Sequence, residues 1–100
     1  MAELKEELSE SMYCMLLALR AERHGYGVIQ YVTDFTGGLL NLGAGTFYSS
    51  LKKLERAGWI RRTRTDDRRH YYLLTERGRR ALTDEAARIA RLHSYGKGLS

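Results

Sequence analysis

Not one proline occurs in these 100 residues, so every break in the chain falls to Gly, Asn, Asp or Thr. Helix ends must then be read from caps and glycines rather than from proline stops. A single cysteine, Cys14, excludes an intramolecular disulfide and fits a reducing, cytoplasmic setting. No apolar run approaches the roughly 20 residues of a membrane-spanning helix. The opening MAELKEELSES is acidic and lacks an apolar core, so neither a secretory signal nor membrane attachment is expected. There is no phosphate-binding loop, no nucleophile beside a base at a recognisable spacing, and no carboxylate pair in an apolar setting. An enzyme is therefore not expected, and no cofactor is implied. The histidines His24, His70 and His93 are too scattered, even with Cys14, to suggest a metal site. Structural roles are expected for all four, with Cys14 a small core residue.

What the chain does have is concentrated charge. Residues 43–72 hold eight Lys/Arg against three acidic residues, a net of +5. Residues 1–42 carry −3 and residues 73–100 carry +3, so the central stretch alone equals the whole-chain excess of +5. A basic helix followed by a basic ribbon suits a polyanion wider than one phosphate, which points to double-stranded DNA or another duplex. A hydrophobic fraction of 43% supports a folded core and argues against disorder. A monomer this small buries only about 60–68% of its extended-chain surface, which leaves apolar area for a second subunit.

The spacing of apolar residues predicts a first helix over about Leu8 to Ala21, apolar nearly all round in MYCMLLAL. Such a helix needs cover on more than one side, from its own domain and from a partner chain. His24-Gly25-Tyr26-Gly27 opens a second helix to about Phe35, with Val28, Ile29, Val32 and Phe35 facing inward and Thr36-Gly37-Gly38 ending it. Leu39, Leu40 and Leu42 are expected to anchor the connection. A third helix runs from about Ala44 to Ala57, burying Phe47, Leu51 and Leu54, and Gly58 stops it. Trp59–Thr65 and Arg69–Leu74 read as strands around a turn at Asp66-Asp67. Thr75 is a good N-cap for a last helix to about His93. Its apolar stripe (Leu82, Ala86, Ile89, and Leu92 or His93) is narrow, like a helix–helix seam. The fold class is mainly α with a small β-hairpin, a winged helix-turn-helix with a C-terminal dimerisation helix. We divide the one compact domain into a reading part, 1–74, and an interaction helix with its tail, 75–100.

HGYGVIQYV, LLNLGAGTFYSSLKKLERAGWI and RRHYYLLTERGRRAL, with these gaps, resemble the PadR family of bacterial transcriptional regulators over about residues 8–92. The short last helix looks like the compact subgroup. The resemblance implies a homodimer that represses promoters and leaves DNA when a small aromatic or drug-like effector binds. Two departures stand out. Where members commonly carry Ser-Pro ahead of the Gly-Thr of the recognition helix, this chain has Gly43-Ala44. The only tryptophan, Trp59, lies at the wing root rather than in the last helix, so multidrug binding is not carried over.

Thr46, Ser49, Lys52 and Lys53 form the polar face of the third helix, small and hydroxylic first and basic after. A solvated face is the plainer reading, but short side chains also let a helix N-terminus approach a base edge or phosphate. Tyr48 fits either a half-buried core ring or a phosphate-reaching hydroxyl, and the resemblance favours the second. Tyr26 reads the same way, with the core role favoured. Arg64, Arg68 and Arg69 are placed at the wing tip, as contacts to phosphates or the minor groove. Met12, Met15, Leu19, Leu82, Ala86, Ile89 and Leu92 are the expected dimer interface, and Met12, Tyr13 and Met15 a candidate effector pocket. The partner expected is a pseudo-palindromic DNA operator. The rival function is a winged-helix protein-interaction module that docks on an acidic partner.

Overall fold

The computed structural model describes residues 8–99, so residues 1–7 of the expected reading part and Ser100 of the tail lie outside the described residues. The elements are α1 (Glu10–Ala18), β1 (Arg23–His24), α2 (Gly25–Phe35), α3 (Ala44–Arg56), β2 (Ile60–Asp66), β3 (Arg69–Leu74) and α4 (Glu76–Tyr95). This is a mainly helical winged helix with a small antiparallel sheet, as the apolar spacing implied. The sheet has three strands, not two, in the order β1-β3-β2. Arg23 pairs with Tyr72 and His24 with Tyr71, a two-residue strand too short to carry an alternation signal.

α1 begins at Ser9, whose hydroxyl accepts the Met12 N–H at 3.2 Å. It ends three residues earlier than its apolar pattern suggested. Leu19 turns its carbonyl to the Leu74 N–H at 3.0 Å, so the sheet takes over the chain. Arg20 and Arg23 donate from Nε to the terminal carbonyls of Leu17 and Ala18, at 2.9 and 2.7 Å. These bonds answer the helix end that no glycine caps.

Met12, Cys14, Met15, Leu16, Ala18 and Leu19 are all buried within the single chain. The first helix is apolar all round because α2, the sheet and α4 cover it together. The expectation that Met12, Met15 and Leu19 face a second subunit is therefore corrected, since they belong to the protein's own core. Val28, Val32, Phe47, Leu54 and Leu74 complete its most buried part. Two further expectations fail at the edge of α2. Phe35 is about half exposed and Leu39 is 88% exposed, so Leu42 is the buried anchor of the connection, with Leu40 partly covered.

α2 is capped by His24 Nδ1, which accepts the Gly27 N–H at 3.2 Å. α3 starts at Gly43 with no side-chain cap and ends in a Schellman turn. There Gly58 takes φ +78°, its N–H bonds Glu55 O at 2.9 Å, and the Trp59 N–H bonds Leu54 O at 3.0 Å. The hairpin turn lies one residue later than expected, at Asp67-Arg68, both with positive φ (51° and 68°). That is the geometry of a two-residue turn matched to the twist of its strands. A bulge between Arg62 and Arg64 offsets the pairing, setting Arg64 opposite Tyr71.

Thr75 joins everything after α3. Its hydroxyl donates to Gly58 O at 2.6 Å and accepts the Gly78 N–H at 3.0 Å, while its own N–H bonds Trp59 O at 3.0 Å. Gly78 lies flat against the Trp59 peptide. A Cβ there would drive into the Trp59 carbonyl, 2.8 Å from its carbon and 3.2 Å from Leu74 Cδ2. Beyond Leu82 and Glu85, α4 leaves the body, and nearly every residue from Ala86 to Leu99 is exposed.

Gly78→Ala is expected to destabilise the fold by about 3 kcal/mol, because backbone cannot yield as a side-chain tip can. Gly45→Ala, with nothing within 4 Å of the new methyl, should instead stabilise by up to about 1 kcal/mol through helix propensity. Urea unfolding of both variants checks this, and equal effects would remove the joint as an explanation.

Candidate nucleic-acid interface

The amphipathic spacing of α3 buries Phe47, Ser50, Leu51 and Leu54 and turns Thr46, Tyr48, Ser49, Lys52, Lys53 and Arg56 outward. Its first turn is bare. Gly43, Ala44 and Gly45 are exposed, and nothing lies within 4 Å of either glycine's missing methyl. With no side-chain cap, the first N–H groups stay open at the positive end of the helix dipole. Replacing Ser-Pro by Gly43-Ala44 thus removes a cap and leaves the end accessible.

Tyr48 is 59% exposed and Tyr26 69%, which overturns a core role for either ring. Tyr48 leans edge-on against Phe47, with ring centroids 5.0 Å apart, which holds it over the start of α2. Tyr26 sits at that start, where the His24 cap turns the chain outward. These two rings, Leu51 of α3, and Arg68, Arg69, His70 and Tyr72 of the wing line one cleft of about 220 Å³, with His24 and Gly25 at its floor. Tyr48 of α3 and the tip of the wing therefore border a shared cavity. Thr46, Ser49, Lys52 and Lys53 lie on α3 outside its lining.

Arg64 does not join them. Expected at the wing tip, it lies on β2 with its guanidinium 3.8 Å above the Tyr71 ring centroid. Its Nε bonds Glu22 Oε1 at 3.2 Å and a terminal nitrogen reaches Asp66 at 3.4 Å. Glu22 also accepts the Thr63 hydroxyl. The Thr63 bond first, and the Arg64 bond next, hold the Glu22 carboxyl below its usual range, and the same pairing raises Arg64. Sequence reasoning missed Glu22 because its partners stand 41 and 42 positions away.

A second cavity, about 410 Å³, lies between the start of α1 and α4, lined by Leu8, Tyr13, Cys14, Leu40 and Ile89 with Glu10, Glu85 and Arg88 among the polar groups. Of the three expected pocket residues only Tyr13 lines it, because Met12 and Met15 point into the core. Glu85 is almost fully buried and accepts Arg88 Nε at 3.0 Å. Burial, and then the nearby Glu10, push the Cys14 thiol up, away from reactive thiolate. Ala86, Ile89 and Leu92 are exposed, whereas Leu82 is buried in the body. Among the described residues, no group of three or more His, Cys, Asp or Glu is placed to hold a metal. No described helix is long and apolar enough to cross a membrane.

The sequence model of the transcriptional regulator PadR-like family matches residues 15–84. The chain belongs to the PadR-like family of transcriptional regulators. A transcriptional regulator from Clostridium thermocellum has the same fold at 19% identity and TM-score 0.77, over 98% of this chain and 99% of its own. H. salinarum RosR aligns at 21% identity and TM-score 0.71, over 94% and 82%. Bacillus subtilis PadR, solved in complex with operator DNA, is 28% identical with TM-score 0.67. That alignment covers 79% of this chain but 48% of the larger protein. No curated protein sequence matches the chain significantly. As a member of a family of transcriptional regulators, the protein is not an enzyme. The match to the PadR-like family stops at Asp84, beside the last buried residue, Glu85. The projecting half of α4 lies outside the match to the sequence model.

Glu22→Gln should loosen the wing root, read as faster amide exchange in residues 61–65 at neutral pH. Because the Glu22 carboxyl is depressed, its pairing is fully present above the ordinary carboxylate range and is lost as pH falls through the depressed value. The wild-type wing should therefore loosen in acid, and the Gln variant should not change further. Equal acid responses would remove Glu22 as the wing's anchor.

Proposed function

We propose that this PadR-like regulator is a cytoplasmic, dimeric, sequence-specific DNA-binding repressor. One observation carries the reading: Tyr26, Tyr48 and the basic wing tip line one cleft, and the polar face of α3 with Thr46, Ser49, Lys52 and Lys53 is exposed. In this reading α3 enters a major groove with Thr46, Ser49 and Lys52 near bases or phosphates. Lys53, Tyr48 and Tyr26 meet the backbone, and Arg68 and Arg69 hold the flanking strand. Arg64 serves the wing itself, because two carboxylates and a ring already engage it. The operator complex of Bacillus subtilis PadR supports the choice of a DNA operator, here one with two half-sites.

In this reading the DNA-reading part spans 1–74, and the interaction helix with its tail spans 75–100. Ile89 and Leu92 are 39% and 53% exposed on the projecting half of α4, and Ala86 continues their stripe. With Tyr95 and Leu99 also uncovered, a second copy is the cover these side chains need. A small aromatic effector would enter the groove beside Tyr13 and Ile89. By shifting α4 it would change the spacing of the two reading heads and release the DNA. No observation favours the alternative of docking on an acidic protein.

Arg68→Ala combined with Arg69→Ala should weaken binding to every duplex and flatten the log–log salt slope by about 0.9 for each phosphate no longer neutralised. Ser49→Ala should mainly change the ranking of operator variants. Fluorescence anisotropy at several salt concentrations measures both, and an unchanged slope in the double variant would remove the wing tip from the interface. Ile89→Asp should give a monomer by light scattering, and a stable dimer would contradict the α4 seam.

A further inference from the structure

The cleft between α3 and the wing has an unusual lining. Its polar side chains are all nitrogen or hydroxyl functions, from His24, Tyr26, Tyr48, Arg68, Arg69, His70 and Tyr72, and no carboxylate is among them. The chain has 12 acidic residues, so a lining free of them marks a place built for an anion. Three distant segments of the sequence contribute, which distinguishes the cleft from a generally basic surface.

The two imidazoles differ in what they can do. His24 Nδ1 accepts the Gly27 N–H, so a proton on that nitrogen would break the cap of α2. While that cap holds, only Nε2 of His24 is left to face the cleft. His70 Nδ1 lies 2.9 Å from the Thr65 hydroxyl, an oxygen that can accept as readily as donate. His70 can thus hold two N–H groups without losing a bond, one to Thr65 and one toward the cleft. Arg68 and Arg69 lie beside it on the hairpin, and Tyr26, Tyr48, Tyr72 and His24 face it from α2, α3, β3 and β1. Asp66 lies across the hairpin paired with Arg69, and Asp67 is in the turn; neither lines the cleft.

We infer that this cleft seats one phosphodiester of duplex DNA between the reading helix and the wing, and that His70 takes up a proton as the phosphate enters. The inference rests on the DNA-binding reading. The exposed Tyr26 and Tyr48 rings flank the seat and pack against the sugar, while His70 and the two arginines meet the phosphate oxygens. DNA affinity then depends on pH in the histidine range, the tighter binding lying on the acid side.

The test is fluorescence anisotropy of a labelled duplex of about 20 base pairs, at fixed ionic strength, between about pH 5.5 and pH 8. The wild-type protein should bind about tenfold more tightly at the acid end, the order expected for one linked proton. His70→Gln should lose that gain and bind with nearly flat pH dependence. His70→Lys should keep tight binding at both ends, because its charge does not depend on pH in this range. Retention of the full pH dependence in His70→Gln would overturn the proposal while leaving DNA binding intact. Failure of the wild-type protein to bind any duplex would overturn both. Inorganic phosphate alone, titrated while the His70 ring protons are followed by NMR, should give no saturable shift. A saturable shift that duplex DNA does not displace would make the cleft a free-phosphate site instead.

Discussion

The Thr75 hydroxyl, held between the Gly58 carbonyl and the Gly78 N–H, is the contact on which the rest of the architecture hangs. It links three events at one point: the stop of α3, the root of the wing and the start of α4. Because Gly78 presses on the Trp59 peptide, α4 can approach the wing root only along one line. The aim of the wing relative to α3 and the direction in which α4 projects are consequences of the same few atoms. Their common dependence on one hydroxyl explains why a threonine and two glycines sit so close to the hinge of the molecule.

Charge and apolar surface are separated along the body. Arg68 and Arg69 stand at the wing tip, where the cleft lining excludes carboxylates, and Lys52, Lys53 and Arg56 lie on the second half of α3. The apolar groups left uncovered gather on the far half of α4, at Ile89, Leu92, Tyr95 and Leu99. Arg64 marks the boundary between structure and function within the wing. It is as basic as its neighbours, yet Glu22, Asp66 and the Tyr71 ring commit it to holding the hairpin in place. Salt would weaken these exposed pairs, so the wing's stiffness rests more on the bond from Leu74 to Leu19 and on the burial of Tyr72.

Much of this was legible in the residue order, and for local reasons. The Phe47-Leu51-Leu54 spacing, the Thr75 cap and the glycine stop at Gly58 are decided by neighbours within four positions, and all three are where the sequence put them. The misreadings share a different cause. An all-round apolar helix points Met12, Met15 and Leu19 toward a partner, but the cover comes from elements of the same chain. β1 gains its strand from pairing with Tyr71 and Tyr72, far along the chain, and two residues carry no periodicity. Glu22 and Arg64 likewise meet from distant segments, as do His70 and Tyr48 around the cleft. Tyr26 and Tyr48 are hard to place because a tyrosine at a helix start suits either core or surface, and only tertiary packing decides.

The central claim is that one face, formed by the start of α3 and the wing tip, meets duplex DNA. Amide chemical-shift mapping by NMR, with a duplex titrated into the uniformly labelled protein, tests it most directly. The account predicts that the largest shifts fall in residues 24–27, 43–49 and 66–70, in the three segments at and beside the cleft. Shifts concentrated in the exposed half of α4, with those three segments unmoved, would contradict it.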